Sequence, residues 1–208
     1  KLVGSAGLVI AVEAQWTMYQ LIHANAALNR RENILPLHAA AGHERGVVSM
    51  YPLSVSGERN FGRLGVDTRA PDESRSGEAV AVYPLDELLP DYLDDRPVAF
   101  VKIDVQAYEL FVLQGMMALL KAHKPTIFIE IAPYWMKRAG YDYTEIYVLL
   151  REHGYYFIHR PGLKMGPDDI PDISANTKIE WDLLAIHSDA GPDIRRKRKA
   201  PNRKGRGE

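Results

Sequence analysis

Along this chain, short apolar runs alternate with stretches where apolar residues recur every three or four positions, the periods of buried strands and of helices. Lys1 to Gly7 reads as the end of a helix and a turn punctuated by Gly4 and Gly7. Leu8-Val-Ile-Ala-Val12 predicts a strand with Glu13 at its carboxyl end, and Gln15 to Leu28 a helix carrying Trp16, Tyr19, Leu21, Ile22 and Leu28. Asn33 to Gly42 predicts a second strand and a turn. Glu78 to Val82 predicts a third strand, leading to a helix near Glu87 that Asp86 caps. Val98 to Ile103, broken only by Lys102, predicts a strand buried on both faces, as in a parallel sheet. From Val105 the spacing turns helical, with Leu110, Leu113, Met117 and Leu120 on one stripe and Val112, Met116 and Leu119 beside it. Lys124-Pro125 ends that helix, and Thr126 to Ile131 is a further strand followed by a loop over Ala132 to Asp142. Thr144 to His153 predicts a helix with Gly154 just past its end, and Tyr155 to His159 and Trp181 to His187 predict the last two strands.

Strands alternating with helices predict an α/β fold with a parallel sheet, in which ligands bind outside the carboxyl ends of the strands. Three carboxylates fall at such ends: Glu13, Asp104 and Glu130. A carboxylate in the position of Glu13 either accepts two hydrogen bonds from a ribose diol or simply ends its strand in solvent. Glu130 lies in an otherwise apolar run, where a carboxylate is costly unless it is bonded or paired. Beside Asp104 it is placed to orient a hydroxyl, accept its proton or bind a metal; the plainer reading caps a loop or pairs with Arg138. His38, within its strand, reads as structural. The aromatics Tyr134 and Trp135 either line a substrate wall or cover the sheet.

A length of 208 residues suits one domain, and 46% hydrophobic with 25% charged residues is the composition of an ordinary globular protein. The chain has no cysteine, which excludes disulfides and thiolate-bound zinc and is compatible with a cytoplasmic setting. No apolar run approaches the ~20 residues that cross a bilayer. The formal net charge is −1, yet residues 188–208 alone carry +5. The domain is therefore expected over residues 1–187, with a basic, disordered tail over 188–208 that either touches nucleic acid or is merely solvated. Val47 to Val82 is the least regular part, expected as an insertion, with Asn60 either a substrate contact or a turn residue.

Lys102-Ile-Asp-Val-Gln-Ala-Tyr-Glu-Leu-Phe-Val-Leu-Gln-Gly115, followed by Pro125-Thr-Ile-Phe-Ile-Glu-Ile131, resembles the signature of the FkbM-type methyltransferases. Gly7-Leu-Val-Ile-Ala-Val-Glu-Ala14, Asn25 to Asn29, and Glu78 to Leu89 are similar to further family segments. Ala107 and Ala14 depart from the pattern, standing where the family has glycine and proline.

The resemblance implies a Rossmann-like class I methyltransferase sheet, mostly parallel with an antiparallel C-terminal hairpin, and S-adenosylmethionine as cofactor. The family's first strand and its glycine-rich loop find no match, so the sheet is expected to be N-terminally truncated. The resemblance implies that Glu13 holds the cofactor's ribose, that Ala40 and Ala41 border its adenine, and that Asp104 sits near its methionine end. Glu130 or Glu109 is the candidate base, unless Glu109 only anchors the first turn of its helix. The acceptor is expected to be a hydroxyl of a sugar or natural-product-like molecule. Two other readings stand beside this one: a non-catalytic module that has lost cofactor binding, and a nucleic-acid methyltransferase or binder using the basic tail.

Overall fold

A computed structural model describes residues 3–50, 77–159, 169–174 and 178–189. The amino-terminal part is a βαβ unit: strand β1 (Val9–Glu13), helix α1 (Trp16–Leu28) and strand β2 (Ile34–His38), with β1 and β2 parallel. Before it, the Asn33 side-chain amide donates to the carbonyls of Gly4 and Gly7 at 3.1 and 2.7 Å, closing the expected glycine turn.

Strands β3 (Ala40–Ala41), β4 (Gly46–Met50) and β5 (Glu78–Tyr83) form a second sheet in the order β3-β5-β4. β3 runs parallel to β5 and β4 antiparallel to it. Two single-turn helices follow, α2 (Leu85–Leu88) and α3 (Pro90–Leu93). The third sheet has the order β6-β7-β9-β8, built from β6 (Phe100–Ile103), β7 (Thr126–Ile131), β8 (Tyr155–His159) and β9 (Trp181–His187). β6 pairs parallel with β7, while β9 is antiparallel to both β7 and β8, which is the expected closing hairpin. Between these strands lie α4 (Glu109–Gln114), α5 (Met117–His123), α6 (Pro133–Arg138) and α7 (Thr144–Glu152). The architecture is mixed α/β. Among the described residues, parallel and antiparallel pairings are equally frequent, three of each, rather than mostly parallel.

The core is built on one face of the third sheet. Ile127, Ile129 and Ile131 alternate along β7 at 0% exposure and share an apolar cluster with Leu113, Leu120, Ile146, Leu150 and Leu183. Burying each such side chain is worth about 1.5–3 kcal/mol. Buried phenol and indole groups need partners, and they find them here. The Trp181 Nε1–H donates to the Tyr147 hydroxyl at 3.1 Å, and the Tyr143 hydroxyl accepts the Ile173 N–H at 3.1 Å and donates to the Pro171 carbonyl.

β6 is not buried on both faces: Phe100 is 56% exposed, Lys102 is exposed, and only Ile103 is fully buried. An apolar run shows that a strand favours burial, but the neighbours decide which faces are covered. Among the described residues β6 pairs on one side only.

The helix predicted from Val105 is in two pieces. A Cβ on Gly115 would lie 1.9 Å from the Gly42 carbonyl oxygen, so this point of the chain is pressed against the end of β3. Asp86 then restarts the helix. Its carboxylate accepts the N–H groups of Ala118 and Leu119 at 2.7 and 2.8 Å, and its own N–H donates to the Gly115 carbonyl. Asp86 thus caps α5, not the helix near Glu87, inside which it sits. The loop expected over Ala132 to Asp142 holds α6, started by Pro133, whose fixed φ suits the first helical position. Residues 51–76 with Asn60, and all but the first two residues of the basic tail, lie outside the described residues. Among the described residues no helix is long and apolar enough to cross a membrane.

Candidate active site

The parallel β1–β2 register sets Glu13 beside His38. The Glu13 Oε1 accepts the Gln15 N–H at 2.7 Å, so the carboxylate opens α1, and the Glu13 carbonyl accepts the Ala39 N–H at 3.2 Å. That second bond draws Ala40 and Ala41 next to the end of β1. The ladder to β5 holds them there, with Ala40 opposite Val82 and Ala41 opposite Tyr83. His38 has the structural role its position suggested. Its Nε2 bonds the Ala14 carbonyl at 3.1 Å, and its ring contacts Trp16 and Tyr19 at 4.9 and 5.3 Å.

β3 leads on to Gly42, where a Cβ would lie 2.7 Å from Val82 and 3.6 Å from the Tyr108 ring. Tyr108 belongs to the segment that follows β6, so that segment comes close to the end of β3. On that segment Asp104 is held by two neighbours, the Lys102 ammonium at 2.7 Å and the Gln106 side-chain amide at 3.3 Å. The backbone then turns through two left-handed residues, Gln106 at φ 54° and Ala107 at φ 72°. Glycine adopts this conformation without strain and alanine does not, which is the physical sense of the glycine the family carries at this point.

Glu109 faces inward and is 1% exposed. One of its oxygens accepts the N–H groups of both Val105 and Ala107 at 3.1 Å, and the other accepts the Tyr141 hydroxyl at 3.3 Å. Burial raises the Glu109 pKa above the ordinary carboxylate value, against the lowering effect of these bonds. Burial, and then the Glu109 charge, likewise raises Tyr141 far above an ordinary phenol, so the hydroxyl stays a donor.

Glu130 lies at the carboxyl end of β7. The ladder pairs Lys102 with Phe128, so Asp104 and Glu130, each two residues further on, stand at matching heights on neighbouring strands. Across the other edge of β7, Glu130 faces Asp182. Burial raises its pKa, and the charges of Asp104, Glu180 and Asp182 raise it further, while Lys102 opposes them. Arg138, the pairing partner that sequence offered, instead lies over the rings of Tyr134 and Trp135 at 5.7 and 6.0 Å. Lys178 covers Tyr134 at 5.2 Å. Glu180, Asp182 and Tyr141 do not stand out in the sequence as site residues. Alternation along β9 was the one signal that puts Asp182 on the polar face. Among the described residues, no group of three His, Asp or Glu side chains is placed to hold a metal.

These features define a mixed α/β protein with three carboxylates, Glu13, Asp104 and Glu130, at or next to the carboxyl ends of parallel strands. The chain belongs to the methyltransferase FkbM domain family, whose profile matches residues 1–157. It is similar to the crystal structure of methyltransferase FkbM from Methylobacillus flagellatus KT, at 18% identity and a TM-score of 0.48, over 86% of this chain and 36% of that one. The chain therefore spans little more than a third of that relative's length. No curated protein matches it.

Proposed function

We propose that this chain is the S-adenosylmethionine-dependent part of an O-methyltransferase acting on a hydroxyl of a sugar or natural-product-like molecule, with a Rossmann-like arrangement of its strands. The observation that carries this reading is the placement of Glu13, with Ala39 bonded to its carbonyl and Ala40 and Ala41 following, and of Asp104, with Glu130 at the matching height on the neighbouring strand, at the carboxyl ends of parallel strands.

These residues suit the cofactor. Glu13 uses one carboxylate oxygen on Gln15 and keeps Oε2 for a ribose diol. Ala40 and Ala41 have no bulk to obstruct a flat ring. Asp104 brings negative charge to the region of the cofactor's ammonium group. Bound S-adenosylmethionine supplies an electrophilic methyl group on a sulfonium. The protein's part is to align an acceptor hydroxyl with it, which supplies much of the rate in such transfers. Glu130 takes the hydroxyl proton: it is only partly buried, and its raised pKa moves it toward the range where a carboxylate base is effective. Glu109 is not assigned this role, because its oxygens are enclosed and bonded.

Calorimetric titration with S-adenosylmethionine tests the reading. The expected result is binding by the chain and at least a tenfold loss in Glu13→Ala. A folded chain that does not bind sinks it.

A further inference from the structure

Among the described residues, three features of the segment after β6 coincide nowhere else. Gln106 and Ala107 are consecutive non-glycine residues with left-handed φ of 54° and 72°. The one carboxylate that is almost wholly enclosed, Glu109 at 1% exposure, lies directly beneath them. That carboxylate bonds the N–H groups on either side of Gln106 and also the hydroxyl of Tyr141.

Each feature bears on the others. A left-handed alanine is unfavourable by itself, and at a buried position it needs surroundings that hold it. With Val105 and Ala107 turned so that both N–H groups converge on one oxygen, the chain between them is held in its left-handed course. Gln106 reaches Asp104 from within this turn, so the turn also sets one of the two bonds that hold the Asp104 carboxylate. Tyr141 adds a second connection. It lies just beyond α6, in the segment that follows Glu130 and β7, and its ring packs edge-on against Phe111 of α4 at 5.6 Å. Glu109 thereby joins the segments after β6 and β7, the strands whose carboxyl ends carry Asp104 and Glu130.

We propose that Glu109 is a positioning residue: its carboxylate, shared between the Val105 and Ala107 N–H groups and the Tyr141 hydroxyl, fixes the Gln106–Ala107 turn and so sets where Asp104 stands relative to Glu130. It touches neither cofactor nor acceptor. The functional half of this inference rests on the reading of Asp104 as part of the cofactor site.

The test compares Glu109→Ala, Glu109→Gln and Glu109→Asp with the unaltered chain. One readout is amide hydrogen exchange over residues 104–108 in the ligand-free protein, and the other is affinity for S-adenosylhomocysteine by calorimetry. Glutamine keeps the length and an acceptor oxygen. Aspartate keeps the charge but is too short to reach both N–H groups. The expected result is exchange at least tenfold faster over 104–108 in Glu109→Ala and Glu109→Asp, with β7 and α7 unchanged. Affinity for the probe should fall at least tenfold in the same variants. Glu109→Gln should stay within threefold of the unaltered chain in both readouts. A role confined to overall stability would lower the melting temperature and leave the affinity of the folded protein unmoved, which overturns the proposal. So does a glutamine variant as damaged as the aspartate one. If Glu109→Ala does not fold, the glutamine–aspartate pair decides on the same criteria. If the unaltered chain does not bind the probe, the cofactor reading fails. The exchange comparison then still stands, and unchanged exchange over 104–108 overturns the positioning role separately.

Discussion

Glu130 and Asp182 are directly opposite each other in the β7–β9 ladder, two carboxylates on one face of the sheet. Like charges in this arrangement repel, and here the repulsion is part of what raises the Glu130 pKa. Asp182→Asn should therefore move the Glu130 titration to lower pH, and Lys102→Met should move it higher, since that ammonium opposes the rise. Carbon-13 NMR of the Glu130 carboxyl group follows this directly. Because Asp182 is exposed, the Asp182→Asn effect should shrink as salt is added. A Glu130 titration that ignores both substitutions would remove the electrostatic account.

Methyl transfer, where measured, should follow the same group. With Glu130 as the base, the rate rises with pH as its carboxyl deprotonates, along a limb displaced above the ordinary carboxylate range. Asp182→Asn should shift that limb toward lower pH, and Glu130→Gln should cost on the order of 10²-fold or more in turnover. A Glu130→Gln enzyme with unchanged turnover assigns the proton to another acceptor.

Ala107→Gly should stabilise the protein. It relieves a left-handed alanine at φ 72°, worth about 1–2 kcal/mol, against the larger entropy that glycine has in the unfolded chain, worth about 0.5–1 kcal/mol. The net gain should be about 0.5–1 kcal/mol, or roughly 1–4 °C in melting temperature for a chain of this length. A lower melting temperature would mean that the turn is not under backbone strain.

The pH dependence of stability should carry a contribution from Glu109. Its folded-state pKa is raised, so between the unfolded value near 4.5 and the folded one the native state binds more protons than the unfolded chain. Stability from this group is thus fully present below the unfolded pKa and is lost as pH rises through the folded one. Subtracting the urea midpoints of Glu109→Gln from those of the unaltered chain, between pH 4 and pH 8, isolates the effect. The difference should move against the unaltered chain as pH rises, and a flat difference contradicts the raised pKa.

Asp86→Ala should cost about 1–2 kcal/mol, because the Ala118 and Leu119 N–H groups at the start of α5 both lose their acceptor. Asp86→Asn, which keeps an acceptor oxygen, should recover most of that in urea unfolding. Equal losses in the two variants would mean that the charge, not the cap, matters.

Much of the frame was legible in the sequence because its signals are local. β7, β8 and β9 begin and end where the apolar runs do, and Gly154, at φ 82°, ends its helix as glycine does at such a position. The carboxylates at the ends of β1, β6 and β7 were legible for the same reason. A polar residue closing an apolar run needs no tertiary information to be noticed. Asp86 was misplaced because its partners are more than thirty residues away, beyond the reach of any capping pattern. Glu109 was left between two roles because a glutamate at a helix start serves equally well facing water or facing inward.

The sequence by itself determined the family, the alternation of strands and helices, and which strand ends carry charge, since each of these is written in residue type and spacing. Only the tertiary structure decided that Ala39 to Ala41 lie against Glu13, that β6 leaves Phe100 exposed, that Asp182 raises Glu130, and that Glu109 turns inward to meet Tyr141. These depend on which segments become neighbours. A carboxylate's accessibility and proton affinity are set by the groups that surround it in space, not by those beside it in the chain.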